Sequence, residues 1–395
     1  MKTDPDVRGR PQNHGGLITA SNVRRTAPVL LIVSVVVVLA VAACSQTSLL
    51  TNLMTAASGN RSVAHVYVAG YCSTNSSSAA EAGYWKDGTW VGFLNPYGSY
   101  NLAWFWWLAV SGSDVYLGGS CANSSNVLVA GYWLNGSWVG LTNPYGSYSA
   151  QVYSLLVLSP DVYLGGYCTN SSGVEVAGYW LNGSWVGLTN LYGSYSAQVW
   201  TLLVLSPNLF AGGWCTDSSG VQSAGYWQNG SWALLRNPYG SYNAQVYSLV
   251  VSGSNVYAGG YSTNSSNVLV AGYWLNGSWV GLTNPYGSYT AIAGSLVVSG
   301  SDVYLGGYCT DSSGNSYGGY WKDGSWIGLT NPYGSYSAID ISLVVSGSDV
   351  YVGGYCANSS GATVAGYWKN GTWVGFTTPA GYNNASATSL VVSSQ

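Results

Sequence analysis

Ionisable side chains are scarce in this 395-residue chain: ten Lys and Arg and thirteen Asp and Glu make up 6% of it, against about a quarter in ordinary globular proteins. Clustered Lys and Arg, which phosphate backbones require, are missing, so nucleic acid is not an expected partner. Two His leave little material for metal-based or His-based catalysis. No calcium-loop spacing and no phosphate-binding glycine loop occurs. No enzymatic activity, cofactor or metal is therefore expected. Few carboxylates also means few native ion pairs to protonate, which predicts tolerance of acid. Helical periodicity of useful length is absent after residue 44, which excludes a helical domain. Disorder is excluded by what is present instead, 47% hydrophobic and 14% aromatic residues.

The longest apolar run, Val29 to Ala43, is broken only by Ser34, follows Arg24 and Arg25, and ends Val41-Ala42-Ala43-Cys44. A spanning helix needs about 20 residues, so this shorter run reads as the apolar region of a signal peptide. The small residues before Cys44 resemble the lipobox of bacterial lipoproteins, which implies lipidation of Cys44 and a membrane partner through that lipid. Cleavage after Ala42 or Ala43 without lipid, or an uncleaved anchor, are the alternatives. Residues 1–43 are thus assigned to an N-terminal extension and signal peptide, 44–62 to a flexible tether, and 63–395 to one folded domain. From Cys44 onward five basic residues face eleven acidic ones, a net charge of −6.

That domain is repetitive. Tyr-Trp recurs with its Trp at 85, 133, 180, 227, 274, 321 and 368, and a second Trp follows five residues later in every copy. Asn123 to Tyr148 and Asn264 to Tyr289 are identical. Each copy contains four β-like runs, which we label A to D; in the third they are Leu155–Leu158, Val162–Gly166, Val176–Trp180 and Ser184–Leu188. Asn-Gly or Asp-Gly separates C from D in all seven, the strongest short hairpin signal because a type I′ turn needs φ > 0 twice. This turn sets Trp133 opposite Trp138, where they are expected to stack. Four strands in a repeat of 47 or 48 residues predict an all-β fold, a seven-bladed β-propeller of four-stranded antiparallel blades. The first copy enters at strand B, Val66-Tyr67-Val68, and the chain ends in an unmatched strand A, Ser389 to Val392. Joining the two closes the ring and leaves no terminal edge.

Val-Tyr-Leu-Gly-Gly followed by an aromatic strand and a later Trp resembles kelch repeats over essentially all of 63–395. The paired glycines stand at Gly118-Gly119, Gly165-Gly166, Gly212-Gly213, Gly259-Gly260, Gly306-Gly307 and Gly353-Gly354, with Ala69-Gly70 departing in the first copy. The Tyr-Trp-Leu/Lys-Asn-Gly element is also similar to repeats of uncharacterised bacterial surface lipoproteins. Neither resemblance implies an activity, because propellers host unrelated functions. The copper site of a galactose oxidase-like kelch enzyme needs two His, and here His14 precedes the signal, leaving His65 alone.

Six Cys share one repeat position, Cys72, Cys121, Cys168, Cys215, Cys309 and Cys356, with Ser262 in the remaining copy. Equivalent positions about 10 Å from the axis lie roughly 9 Å apart, beyond the ~7 Å Cα limit for a disulfide, so buried thiols are expected. Asp114, Asp161, Asp302 and Asp349 recur before strand B and are expected to form Asx turns. Twelve Asn-x-Ser/Thr sequons, among them Asn75, Asn123, Asn170 and Asn264, are largely accounted for by turn chemistry.

The informative loops join D to the next A through Asn-Pro-Tyr-Gly-Ser-Tyr, with Leu191 in place of Pro once. Alternating strand direction gathers these D–A loops and the B–C loops on one face. Its Tyr, Ser, Gly and Asn resemble a binding paratope, in which Tyr supplies contact area at low entropy cost. The candidate ligand-binding residues are Tyr97, Tyr100, Tyr145, Tyr148, Tyr192, Tyr195, Tyr239, Tyr242, Tyr286, Tyr289, Tyr333 and Tyr336, with packing between blades as the competing role. The expected function is a monomeric, lipid-anchored recognition module of the cell envelope that takes a glycan or protein ligand. The competing expectation is a structural surface protein without a discrete ligand. Entry at strand B is expected to turn the short-turn face toward the membrane.

Overall fold

A computed structural model of the chain describes residues 64–74, 80–98, 103–334 and 338–394. Cys44, the signal peptide, the tether, Asn75, Tyr100 and Tyr336 lie outside the described residues.

Each C–D hairpin turns on the dipeptide read from the sequence. Asn135 and Gly136 have φ of 50° and 87°, the type I′ pattern, and Trp133 pairs with Trp138 across the ladder. Their rings are 4.1 Å apart but tilted by 54°, not parallel. The same Trp pair recurs in the other six hairpins, and the C-strand Trp are among the most deeply buried side chains of the chain. Trp180 Nε1 donates to the Thr142 carbonyl of the preceding blade at 3.0 Å, and Trp227, Trp274, Trp321 and Trp368 do the same one blade further each time. The indole thus fills the seam between blades and satisfies its only donor there.

Adding strands B and A completes each blade. Blade 3 consists of A Ala150–Leu158, B Asp161–Thr169, C Glu175–Leu181 and D Ser184–Gly187, all antiparallel. Blades 2, 4, 5, 6 and 7 repeat that plan from Ala103, Ala197, Ala244, Ala291 and Ala338; blades 6 and 7 are also joined by a single parallel bridge, Tyr317 to Ala338. Blade 1 takes B, C and D from Ala64–Ser73, Ala80–Lys86 and Thr89–Phe93, and A from Asn384–Ser394 at the other end of the chain. Seven four-stranded blades therefore form a β-propeller closed by the C-terminal strand. A strands of neighbouring blades pack on one another, which places A at the axis and D at the rim.

Strand A is longer than its apolar run suggests. It starts at Ala150, and a bulge between Val152 and Ser154 leaves Tyr153 without a cross-strand partner. The paired glycines follow from this geometry. A Cβ on Gly166 would lie 1.8 Å from the Gln151 carbonyl oxygen at the bulge, and one on Gly165 would lie 2.8 Å from Leu202 of the next blade. A side chain at either position would push a blade off its own inner strand or off its neighbour.

Serine hydroxyls link the inner strands across five of the seven seams. Leu202 N donates to Ser154 Oγ at 3.0 Å, Leu296 N to Ser248 Oγ, Leu343 N to Ser295 Oγ and Leu390 N to Ser342 Oγ. Ser389 Oγ of the C-terminal strand accepts from Leu108 N of blade 2 at 3.2 Å, so the completed blade 1 is bonded to its neighbour in the same way. The six repeat thiols are buried and form no disulfide with one another. The Asp before strand B does not form the expected Asx turn: Asp114 and Asp161 accept from the side chains of Asn135 and Asn182 at 2.8 Å. Asn208 and Asn255 serve equally, each accepting through Oδ1 from Asn229 and Asn276.

Candidate functional site

Six of the seven D–A loops are held by one asparagine side chain each. Asn143 Oδ1 accepts from Tyr145 N at 2.9 Å, while its Nδ2 donates to the carbonyls of Tyr148 and Thr169. Asn190, Asn237 and Asn284 repeat this clasp. Gly146 takes φ of 111° to close the turn, where a Cβ would strain the backbone. Such a loop presents its tyrosines with little ordering left to do on binding, which favours affinity.

The expected tyrosines take two positions. Tyr148, Tyr195, Tyr242 and Tyr289, the second of each loop, are 40–43% exposed, and Tyr148 lies over Gly146 of its own loop. The first tyrosine leans across the seam: the Tyr145 hydroxyl sits 3.7 Å from the Cβ position of Gly187 in the next D strand, and Tyr97 and Tyr333 approach Gly140 and Gly375 likewise. Tyr239 and Tyr286 are comparably exposed, and Tyr286 stacks on Tyr317 with centroids 4.4 Å apart. Only Tyr192 is half-buried, its hydroxyl donating to Ser223 Oγ at 3.1 Å. The structure therefore distributes these residues one seam at a time around the face and does not gather them into one aromatic patch. Packing and exposure coexist in each first tyrosine.

The seam of blade 4 differs. A cavity of about 340 Å³ opens there, lined by Tyr192, Asp217, Ser223, Leu234, Arg236 and Tyr242 among others. Asp217 Oδ1 accepts from Ser219 N and Val221 N, and the Arg236 carbonyl accepts from Trp274 Nε1. Neither side chain forms an ion pair among the described residues.

A second feature escaped the sequence reading. The bulged residues of four successive blades, Trp106, Tyr153, Trp200 and Tyr247, form a buried aromatic arc about the axis. Tyr153 and Trp200 stack at 4.3 Å and 3°, and Trp200 meets Tyr247 edge-on at 5.1 Å. Gln198 accepts from Trp200 Nε1 and donates to Glu175 at 2.7 Å. Burial pushes the Glu175 carboxyl up, against the lowering by Gln198, and pushes Tyr153 and Tyr247 well above the ordinary phenol value. Gly294 and Thr388 occupy two of the other bulges. The available signal was that this position changes from repeat to repeat; without the bulge it reads as an ordinary strand residue. Glu175 thus reaches this arc through Gln198 and places a carboxylate among its phenols and amides.

No family model and no curated protein matches the chain. Among solved structures, one described as "Structure of YjhT" aligns with a TM-score of 0.39 and 12% identity, covering 68% of this chain and 96% of that one.

Proposed function

We propose that this propeller is a non-catalytic, kelch-like recognition module of the cell envelope, anchored through Cys44 and binding a glycan or protein ligand through its long-loop face. The observation that carries the reading is the repeated Asn clasp, which holds exposed tyrosines in fixed positions at successive seams. Tyrosines offered on prearranged loops suit flat apolar faces edged by hydroxyls, as sugar rings and peptide backbones present. A structural role without a ligand is supported by the reach of the first tyrosines across the seams.

Incubating the full-length, detergent-solubilised chain with a glycan array separates the two readings. Saturable binding that falls at least about tenfold when Tyr148, Tyr195, Tyr242 and Tyr289 are replaced by Ser is expected. An unchanged array signal would leave the structural role. The anchor has its own test. With Cys44→Ser, labelled palmitate should no longer enter the protein and the chain should leave the membrane fraction; unchanged membrane retention would favour an uncleaved anchor.

Entry of the chain at the start of strand B, beside the A–B turns, supports an orientation with the long-loop face outward. A tether of roughly 20 residues spans about 25 Å, enough to bias the disc without fixing it.

A further inference from the structure

Blade 4 departs from the other repeats at several positions, and four of these departures line one cavity. Asp217 stands where blades 2, 3, 5 and 7 carry Asn; Ser223 where they carry Val; Leu234 where every other blade carries Gly; Arg236 where five blades carry Thr and one Leu. These four positions come from the B–C loop, strand C and the end of strand D, separated in sequence, yet all line the same 340 Å³ space.

Each change has a physical effect on the cavity. Ser223 is smaller than Val and opens the wall, while its hydroxyl holds Tyr192 at 3.1 Å. In blade 6 the same position is Tyr317, which stacks on Tyr286 and donates to Asp311 Oδ2 at 2.9 Å, so that seam is filled and its carboxylate engaged. Arg236 is the only arginine of the propeller; its backbone is fixed by Trp274, and its exposed side chain borders the cavity. Tyr192 and Tyr242 border it on either side.

We propose that the blade 4 cavity is a specialised site for an acidic saccharide, a sugar ring bearing a carboxylate. The proposal rests on the recognition role given above and adds the ligand class. Arg236 pairs with the carboxylate in the planar, two-point geometry that a guanidinium favours. The ring lies against Tyr192 and Tyr242, and ring hydroxyls donate to Asp217. The remaining seams, none of which has an arginine at the position of Arg236, take neutral rings or none.

Calorimetric titration of the full-length chain in detergent with a galacturonic acid trisaccharide and with the neutral galactose trisaccharide tests this. The acidic sugar should bind, and Arg236→Thr should weaken it at least about tenfold without altering the neutral sugar. Ser223→Val, which closes the wall, should abolish binding of the acidic sugar at this cavity. Both variants install the residue other blades already carry, so folding is not at stake, and an unchanged thermal midpoint verifies it. Equal affinity for the two sugars, or an Arg236→Thr chain that binds the acidic one as well as the parent, overturns the acidic-saccharide site while leaving face-wide recognition standing. Failure of the acidic sugar to bind at all overturns it too, and the array result then decides the broader reading separately.

Discussion

Raising the pH from 9 to 11 should unfold this protein cooperatively at 25 °C, whereas lowering it to 3 should leave its thermal midpoint nearly unchanged. Burial pushes the thiols of Cys72, Cys215 and Cys356 up to about 12, and Cys121 and Cys168 higher still; Tyr261 and Tyr308 also rise to about 12. A group whose folded value lies above its unfolded one stabilises fully below the unfolded value, and that contribution drains away as pH climbs toward the folded value. Unfolded thiols ionise near pH 8.5, so each of five thiols withdraws about 1.4 kcal/mol for every unit above that. By pH 11 the loss is on the order of 10 kcal/mol, comparable with the whole stability of a typical domain. Intrinsic tryptophan fluorescence followed through an alkaline titration reads the transition. Replacing the five thiols by alanine should move its midpoint upward by about a pH unit or more, and an unmoved midpoint would refute the assignment.

The acid limb has the opposite sign and little weight. Lys322 and Lys369 hold Asp302 and Asp349 below the usual carboxylate range, and Asn315 holds Asp311 at about 2. What these carboxylates contribute is lost as pH falls through their folded values, but all three are at the surface, where such pairs contribute little. Glu175, raised by burial, gains a proton on the way down and favours the folded state. The scarcity of carboxylates made this half visible in the composition; the alkaline half required knowing that the repeat thiols and axial phenols are buried.

Deleting residues 384–395 should be the most damaging change to the fold. It removes strand A of blade 1, uncovers the ladder of Ala64–Ser73, takes the buried Leu390 from the core, and cuts the Ser389 to Leu108 link to blade 2. An unpaired inner strand in a ring with two open seams is a template for intermolecular pairing. The truncated chain should elute as aggregate and show no cooperative melt, and a peptide of residues 384–394 added during refolding should restore monomer by strand addition. A truncated chain melting within about 5 °C of the parent would refute closure as a stabilising element.

Blade count, hairpins and ring closure were legible because Trp spacing, Asn-Gly turns and an unmatched strand are local or arithmetic signals. The beginning of strand A was not, since Gln151, Ser154 and the bulge at Tyr153 break the two-residue alternation by which a strand is recognised. That same break hid the axial arc of Trp106, Tyr153, Trp200 and Tyr247. The twelve loop tyrosines were legible as a set, but which lean across a seam depends on Gly140, Gly187 and Gly375 lying beneath them in a neighbouring blade. The four altered residues of blade 4 were visible as letters; their convergence on one cavity is a property of the folded ring.

The blade that begins the propeller is also the last to be completed. Ala64–Ser73 emerges first, but its inner partner starts at Asn384, about 310 residues later, which at 5–20 residues per second is about 15–60 s of synthesis. Throughout that interval the blades at the two ends of the growing arc each have one seam without a neighbour. Assembly is therefore timed by the synthesis of Asn384–Ser394, and a chain released before it is not a slightly shorter propeller but an arc that cannot close.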